Sequence, residues 1–154
     1  MELSDFVGAK LLRVGRSLNM CWLTFINQGE KYALHIQSAW NITEHRIVIL
    51  GDNDFYNPKD DNEENFDWSV IGSTLFDKKA EQINDKLLKL DVSVKEIQLS
   101  LLNELTILLT NDYCIRTFSN ASDNSEMWRA FEKGKSGHLV AYSNNIVINK
   151  ERTL

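Results

Sequence analysis

The chain has 154 residues, of which 43% are hydrophobic and 25% charged, a composition typical of one globular domain with a packed core. Its formal net charge is −5 and its lysines and arginines are dispersed, which disfavours nucleic acid and anionic membranes as partners. No stretch approaches the roughly 20 apolar residues that cross a bilayer, and the first residues lack the pattern of a signal peptide, so we expect a cytoplasmic single domain spanning 1–154.

The first third of the chain has the pattern of antiparallel strands. Its strand-like segments are rich in Leu, Val, Trp and Phe, and residues 32–37 alternate between apolar and polar side chains. Gly15-Arg16-Ser17 and the polar residues 27–30 are predicted to separate strands. The predicted strands are 9–14, 18–26, 32–37 and 46–50. Together they predict a first β-meander over 9–50.

The middle of the chain predicts an acidic loop over 51–72 and a helix over 73–90. The loop holds the only proline, Pro58, and a dense acidic block at 60–64. The helix is predicted from one apolar stripe, because its members fall at i, i+4, i+7, i+11 and i+12. These members are Phe76, Ala80, Ile83, Leu87 and Leu88. A hydroxyl of Ser73 or Thr74 is expected to cap the helix.

The last third predicts a second β-meander over 92–149. Its predicted strands are 92–99, 104–110, 113–118, 127–131, 138–142 and 146–149. Each half of the chain contains two apolar strands joined by a polar turn and followed by a tryptophan, Trp40 or Trp128, so the halves resemble two versions of one meander. The predicted fold class is therefore α+β, with two antiparallel meanders packed against one central helix.

Aromatic side chains lie among the acidic residues of the loop. Rings can anchor a protein interface, and carboxylates complement a basic partner, so this combination predicts a protein-binding surface. The predicted binding residues are Phe55, Tyr56, Asp60, Asp61, Glu63, Phe66 and Trp68.

The acidic loop does not match a calcium-binding loop. In a hypothetical twelve-residue loop that starts at Asp52, position 5 is Tyr56 and not a short oxygen ligand. Position 6 is Asn57 and not the glycine that permits the sharp turn. We therefore predict no metal site and no cofactor.

A second candidate site lies near the end of a predicted strand. His35 has a side chain that titrates near neutral pH, so it could act as acid, base or ligand in a pocket between the meanders. The residues predicted to line this pocket are His35, Gln37, Trp40 and Arg129. No nucleophile motif or metal-ligand spacing accompanies them, which favours a role outside catalysis.

Several short motifs together resemble a family of small uncharacterised bacterial proteins, over most of the chain. The motifs are Gly15-Arg16-x-x-x-Met20 with Phe25, Leu34-His35-x-Gln37-x-x-Trp40, Asp54-x-Tyr56, Phe76-Asp77 and Trp128-Arg129. Some similar small domains are immunity proteins that accompany secreted toxins, so the resemblance implies a protein-binding role. It also implies an arginine just after the Trp40 position, where this chain has Asn41.

From these patterns we expect a protein-interaction module of the immunity or regulatory type. Its partner is expected to be a protein with a basic surface, bound through the acidic aromatic loop. The alternative is a small-molecule-binding protein or enzyme that uses a pocket near His35.

Overall fold

The computed structural model describes residues 1–149. Within them, eleven strands form two antiparallel sheets, and the main helix is α1 (Leu75–Leu87). The strands are β1 (Lys10–Ser17), β2 (Met20–Asn27), β3 (Glu30–Ile36), β4 (Ala39–Glu44), β5 (Ile47–Gly51), β6 (Val94–Leu99), β7 (Leu105–Leu109), β8 (Tyr113–Phe118), β9 (Glu126–Glu132), β10 (His138–Tyr142) and β11 (Ile146–Asn149). Short 3-10 helices occur at Leu3–Phe6, Asp52–Tyr56 and Thr110–Asp112. The predicted α+β class with antiparallel sheets is confirmed.

Each sheet combines strands from both halves of the chain. The six-stranded sheet has the order β1-β2-β3-β9-β10-β11, and the five-stranded sheet has the order β5-β4-β8-β7-β6. Each half therefore builds three consecutive strands in one sheet and then continues into the other sheet, the first half with two strands (β4 and β5) and the second half with three (β9, β10 and β11). The first strand of each exchanged unit makes the join between the halves: β9 pairs with β3, and β4 pairs with β8.

The register of these two joining strand pairs repeats between the halves. Trp128 lies opposite Ile36 where β9 meets β3, and Trp40 lies opposite Thr117 where β4 meets β8. Two Tyr–Glu pairs repeat in the same way, Tyr32 with Glu132 and Tyr113 with Glu44. The strand pairing of the two halves thus follows one pattern, and an origin by duplication stays a prediction.

The two sheets and the helix share one hydrophobic core. The stripe residues Phe76, Ala80, Ile83 and Leu87 are all buried in it, and burial of a large apolar side chain stabilises a fold by roughly 1.5–3 kcal/mol. Leu88, the last predicted member of the stripe, follows the helix and is exposed. Thr74 is the N-cap, as predicted, and its hydroxyl accepts a hydrogen bond from the Asp77 amide at 3.1 Å.

The helix also closes an edge of the six-stranded sheet. The Asn84 amide group accepts a hydrogen bond from the Val14 N–H at 2.8 Å and donates one to the Val14 carbonyl at 2.9 Å. These two bonds satisfy backbone groups that an edge strand leaves without a partner. No helix among residues 1–149 is long and apolar enough to span a membrane.

Two details of the predicted strands are wrong. Gly15-Arg16-Ser17 does not separate strands, because β1 continues through these residues and the hairpin turn follows at Leu18. The Trp22 ring lies across Gly15, where an added Cβ would stand 2.1 Å from the ring, so this glycine allows close packing within a strand. The strand β4, which carries Trp40, was not predicted because its polar residues obscure the alternation.

Candidate functional site

The acidic loop is held closed at its base. The Leu75 N–H donates to the Asn57 carbonyl at 2.8 Å, and the Lys59 N–H donates to the Ser73 carbonyl at 3.1 Å. These bonds join the two ends of the loop, so residues 60–72 are tied to the rest of the protein at both ends. Its carboxylates at Asp60, Asp61, Glu63 and Glu64 are all exposed.

A buried arginine organises the backbone beneath this loop. The Arg16 side chain is only 1% exposed, and its guanidinium donates five hydrogen bonds. Three go to the carbonyls of Leu18, Trp68 and Val70 at 2.8–3.0 Å, and two go to the Asp77 carboxylate at 2.8 Å. Because all five N–H groups have acceptors, the arginine can stay charged in the interior and fix the loop, the β1–β2 turn and α1 together.

The Asp77 carboxylate completes this arrangement at the start of α1. It is the third residue of the helix and accepts hydrogen bonds from the Thr74 and Gly72 amides at 3.2 and 2.8 Å. Burial by itself would raise the pKa of Asp77, but the hydrogen bonds from Arg16 and from these amides outweigh it and lower the pKa to about 2. The carboxylate is therefore ionised at neutral pH.

Apolar side chains at and near the carbonyls that Arg16 binds are exposed to solvent. Leu18 and Val70 are each 55% exposed, Ile71 is 65% exposed and Tyr56 is 48% exposed. We call these four residues the loop patch. The Tyr56 ring packs edge-on against the Trp68 ring at 5.2 Å, so the aromatic side chain is held in place beside the loop.

The residues predicted for the binding surface lie at different depths. Tyr56, Asp60, Asp61 and Glu63 are exposed, and Phe66 and Trp68 are half-buried. Phe55 is buried in the core against Trp40 and Phe76, so it supports the loop from inside and cannot touch a partner. Sequence reasoning missed Leu18, Val70 and Ile71. Val70-Ile71 did carry a signal, since this apolar pair stands outside both the helix stripe and the strands.

The residues predicted for the alternative pocket come together only in part. His35 and Arg129 are register partners on neighbouring strands, on the outer face of the six-stranded sheet. Trp40 belongs to the other sheet and is buried in the core, where it packs against Phe55 and Phe76. Gln37 follows the end of β3 and lines a separate cavity of about 250 Å³. The binding role predicted for these residues stays a prediction.

His35 and Arg129 belong to a polar and aromatic cluster on that outer face. Arg129 donates two hydrogen bonds to the Glu126 carboxylate at 2.8 and 2.9 Å, and its Nη1 atom lies 3.1 Å from His138 Nδ1. The Phe131 ring stands between the two histidines, 4.9 Å from His35 and 4.2 Å from His138. Burial and the nearby charges of Arg129 and His138 lower the pKa of His35, which favours a neutral imidazole at neutral pH.

The structure also accounts for Asn41, where the resemblance implies arginine. Asn41 lies opposite Arg116 in the pairing of β4 with β8. An arginine there would place two guanidinium groups on facing positions, and like charges on facing positions destabilise a sheet.

Within residues 1–149, no three His, Cys, Asp or Glu side chains come together in a way that could hold a metal ion. The chain matches no protein-family model, no curated protein and no solved structure. The family resemblance therefore stays a prediction, and the geometry of the loop provides the argument for function.

Proposed function

We propose that the protein is a cytosolic protein-interaction module, of the immunity or regulatory type, that binds a partner through the loop patch and the carboxylates beside it. The observation that supports this most strongly is the set of five hydrogen bonds donated by Arg16, which we call the Arg16 brace. It fixes the backbone of residues whose apolar side chains remain in solvent, and fixing the binding groups beforehand lowers the entropy lost on association.

The chemistry of the surface indicates the kind of partner. Leu18, Val70, Ile71 and Tyr56 provide an apolar centre, and aromatic and apolar anchors carry most of the energy of protein interfaces. The exposed carboxylates of residues 60–64 would lie at the rim and attract a basic protein surface. The expected partner therefore presents lysines or arginines around an apolar contact.

Two variants test this proposal against a partner that is captured from native lysate and then purified. In the charge-reversed variant Asp60, Asp61, Glu63 and Glu64 become lysine, and in the patch variant Val70 and Ile71 become serine. Rim charges contribute about 0.2–1 kcal/mol each and buried anchors more than about 1 kcal/mol, so each variant is expected to weaken the affinity about tenfold or more.

A matched variant controls for overall charge. It carries four lysines at exposed acidic positions away from the loop, namely Glu30, Glu81, Asp85 and Asp123. This control is expected to bind within about twofold of the parent protein when measured at 150 mM salt, where distant charges are screened. Full affinity of the charge-reversed and patch variants for every captured partner would refute the proposal.

A further inference from the structure

A second surface of the molecule contains a cavity with an unusual concentration of positive charge. The cavity has a volume of about 570 Å³ and lies on the five-stranded sheet beside the turns of two hairpins. Arg46, Lys95 and Arg116 all line it. A volume of this size falls within the range of small-molecule sites.

These three cations have no acidic partner in the described part of the chain. None of them forms a salt bridge there. The one carboxylate in the lining, Asp112, lies 3.2 Å from His45 Nδ1. A protein of net charge −5 has ample carboxylates to pair with three cations, so their gathering around one cavity points to an anionic ligand.

A tight turn positions Arg46 beside the cavity. His45 and Arg46 form the turn between β4 and β5, and both have positive φ angles, 51° and 64°. A two-residue turn of this kind favours Asn and Gly, whereas here a histidine and an arginine occupy it. The chain thus keeps Arg46 at a position where glycine would be less strained.

The remaining lining indicates more than a bare anion. The Thr43 hydroxyl lies 3.4 Å from Arg116 Nη1, and Asn111 adds an amide group, so hydrogen-bonding groups accompany the cations. Leu108 and Cys114 add apolar surface. We propose that this cavity binds a small phosphorylated organic molecule of nucleotide size. Its phosphate group would contact Arg46, Lys95 and Arg116, because guanidinium groups match the oxygens of phosphate.

This phosphate site is separate from the loop patch. Lys86, in the last turn of α1, forms a salt bridge of 3.3 Å with Glu44, next to the turn that carries Arg46. Arg16 and the acidic loop contact the first turn of the same helix through Asp77. A helix of 13 residues is about 20 Å long, so variants at one site leave the other intact.

Calorimetric titration with three probes tests the proposal: ATP, ribose 5-phosphate and inorganic pyrophosphate. In the cavity variant Arg46, Lys95 and Arg116 all become glutamine. In the matched control Arg13, Lys31 and Lys78, which are exposed elsewhere, become glutamine.

We expect the cavity variant to lose affinity for ATP by at least tenfold and the control to change by less than about twofold. The single variant Lys95→Gln removes one exposed charge without altering packing, and we expect it to weaken binding about threefold or more even if the triple variant folds poorly.

Amide NMR shifts locate the bound probe. The proposal predicts shifts at residues 43–46 and 108–116 on addition of ATP, with weaker binding of pyrophosphate, which lacks an organic part. Equal affinity for ATP and pyrophosphate would refute the proposal that the ligand has an organic part. Equal losses of affinity in the cavity and control variants would refute the proposal that the ligand binds in this cavity. Binding of an RNA oligonucleotide tenfold tighter than ATP would show instead that the cations serve a polymer. Absence of binding by all three probes would also overturn the proposal.

Discussion

The ion pair between Arg16 and Asp77 gives the most direct test of how the loop is held. The pKa of Asp77 is lowered from an ordinary value of 3.8 to about 2. Because one pH unit corresponds to 1.36 kcal/mol, ionised Asp77 contributes about 2.5 kcal/mol of folding stability at pH 6. The pKa is depressed in the folded state, so this contribution is complete above about pH 4 and is lost as the pH falls toward 2.

The variant Asp77→Asn removes this pH dependence while it keeps the shape of the side chain. Urea unfolding of both proteins is measured at pH 6 and pH 3. The difference between their unfolding free energies should be smaller at pH 3 than at pH 6 by roughly 1 kcal/mol, because Asp77 is then partly protonated in the unfolded state while the other carboxylates titrate in both proteins and cancel. A difference of the same size at both pH values would refute the assigned role of the carboxylate.

The partner substitution Arg16→Met should be more harmful. It leaves Asp77 with an uncompensated charge and leaves the carbonyls of Leu18, Trp68 and Val70 without their donor. Breaking a buried pair in this way costs about 3–5 kcal/mol, which corresponds to a fall in Tm of roughly 10 °C in a chain of this length. Differential scanning calorimetry measures the Tm of both proteins. A fall in Tm below about 2 °C would contradict the stabilising role assigned to Arg16.

Three further substitutions test other contacts by chemical unfolding. Trp128 donates its indole N–H to the Asn103 carbonyl at 2.8 Å. The buried Trp40 indole N–H has no acceptor among residues 1–149. Trp128→Phe should therefore lower the free energy of unfolding by about 1–3 kcal/mol more than Trp40→Phe does. Equal costs would contradict this assignment. Gly15→Ala should destabilise the protein by about 1–3 kcal/mol because the Trp22 ring must move. Gly51→Ala is the control and should be tolerated, because its new Cβ would lie 3.6 Å from the Trp40 carbonyl oxygen, an ordinary van der Waals contact. Asn84→Ala should cost about 1–3 kcal/mol by leaving the Val14 N–H and carbonyl unpaired, and an unchanged midpoint would show that water replaces the amide group.

Local patterns in the sequence predicted the elements well, and they predicted the connections between them poorly. The spacing of Phe76, Ala80, Ile83 and Leu87 predicted the helix, and the cap was predicted at Ser73 or Thr74, because both signals depend on neighbouring residues. The exchange of strands between the sheets involves pairs such as Ile36 with Trp128, and no local pattern encodes a pairing over that distance.

The candidate site was predicted in part for the same reason. The charge and rings of the acidic loop are visible in the sequence, but the position of Phe55 in the core depends on its packing against Trp40 and Phe76. The brace joins Arg16 to Asp77, 61 residues away. Gly15-Arg16 and Phe76-Asp77 are separate motifs in the sequence, and the contact between Arg16 and Asp77 forms only when the chain is folded.

Hydrogen exchange of the complex with a captured and purified partner tests the central claim most directly. If the loop patch and its carboxylates form the binding surface, amide exchange should slow at residues 17–19 and 60–72 when the partner binds, and residues 108–116 should exchange as in the free protein. Slower exchange confined to other parts of the chain, with residues 60–72 unchanged, would contradict the account.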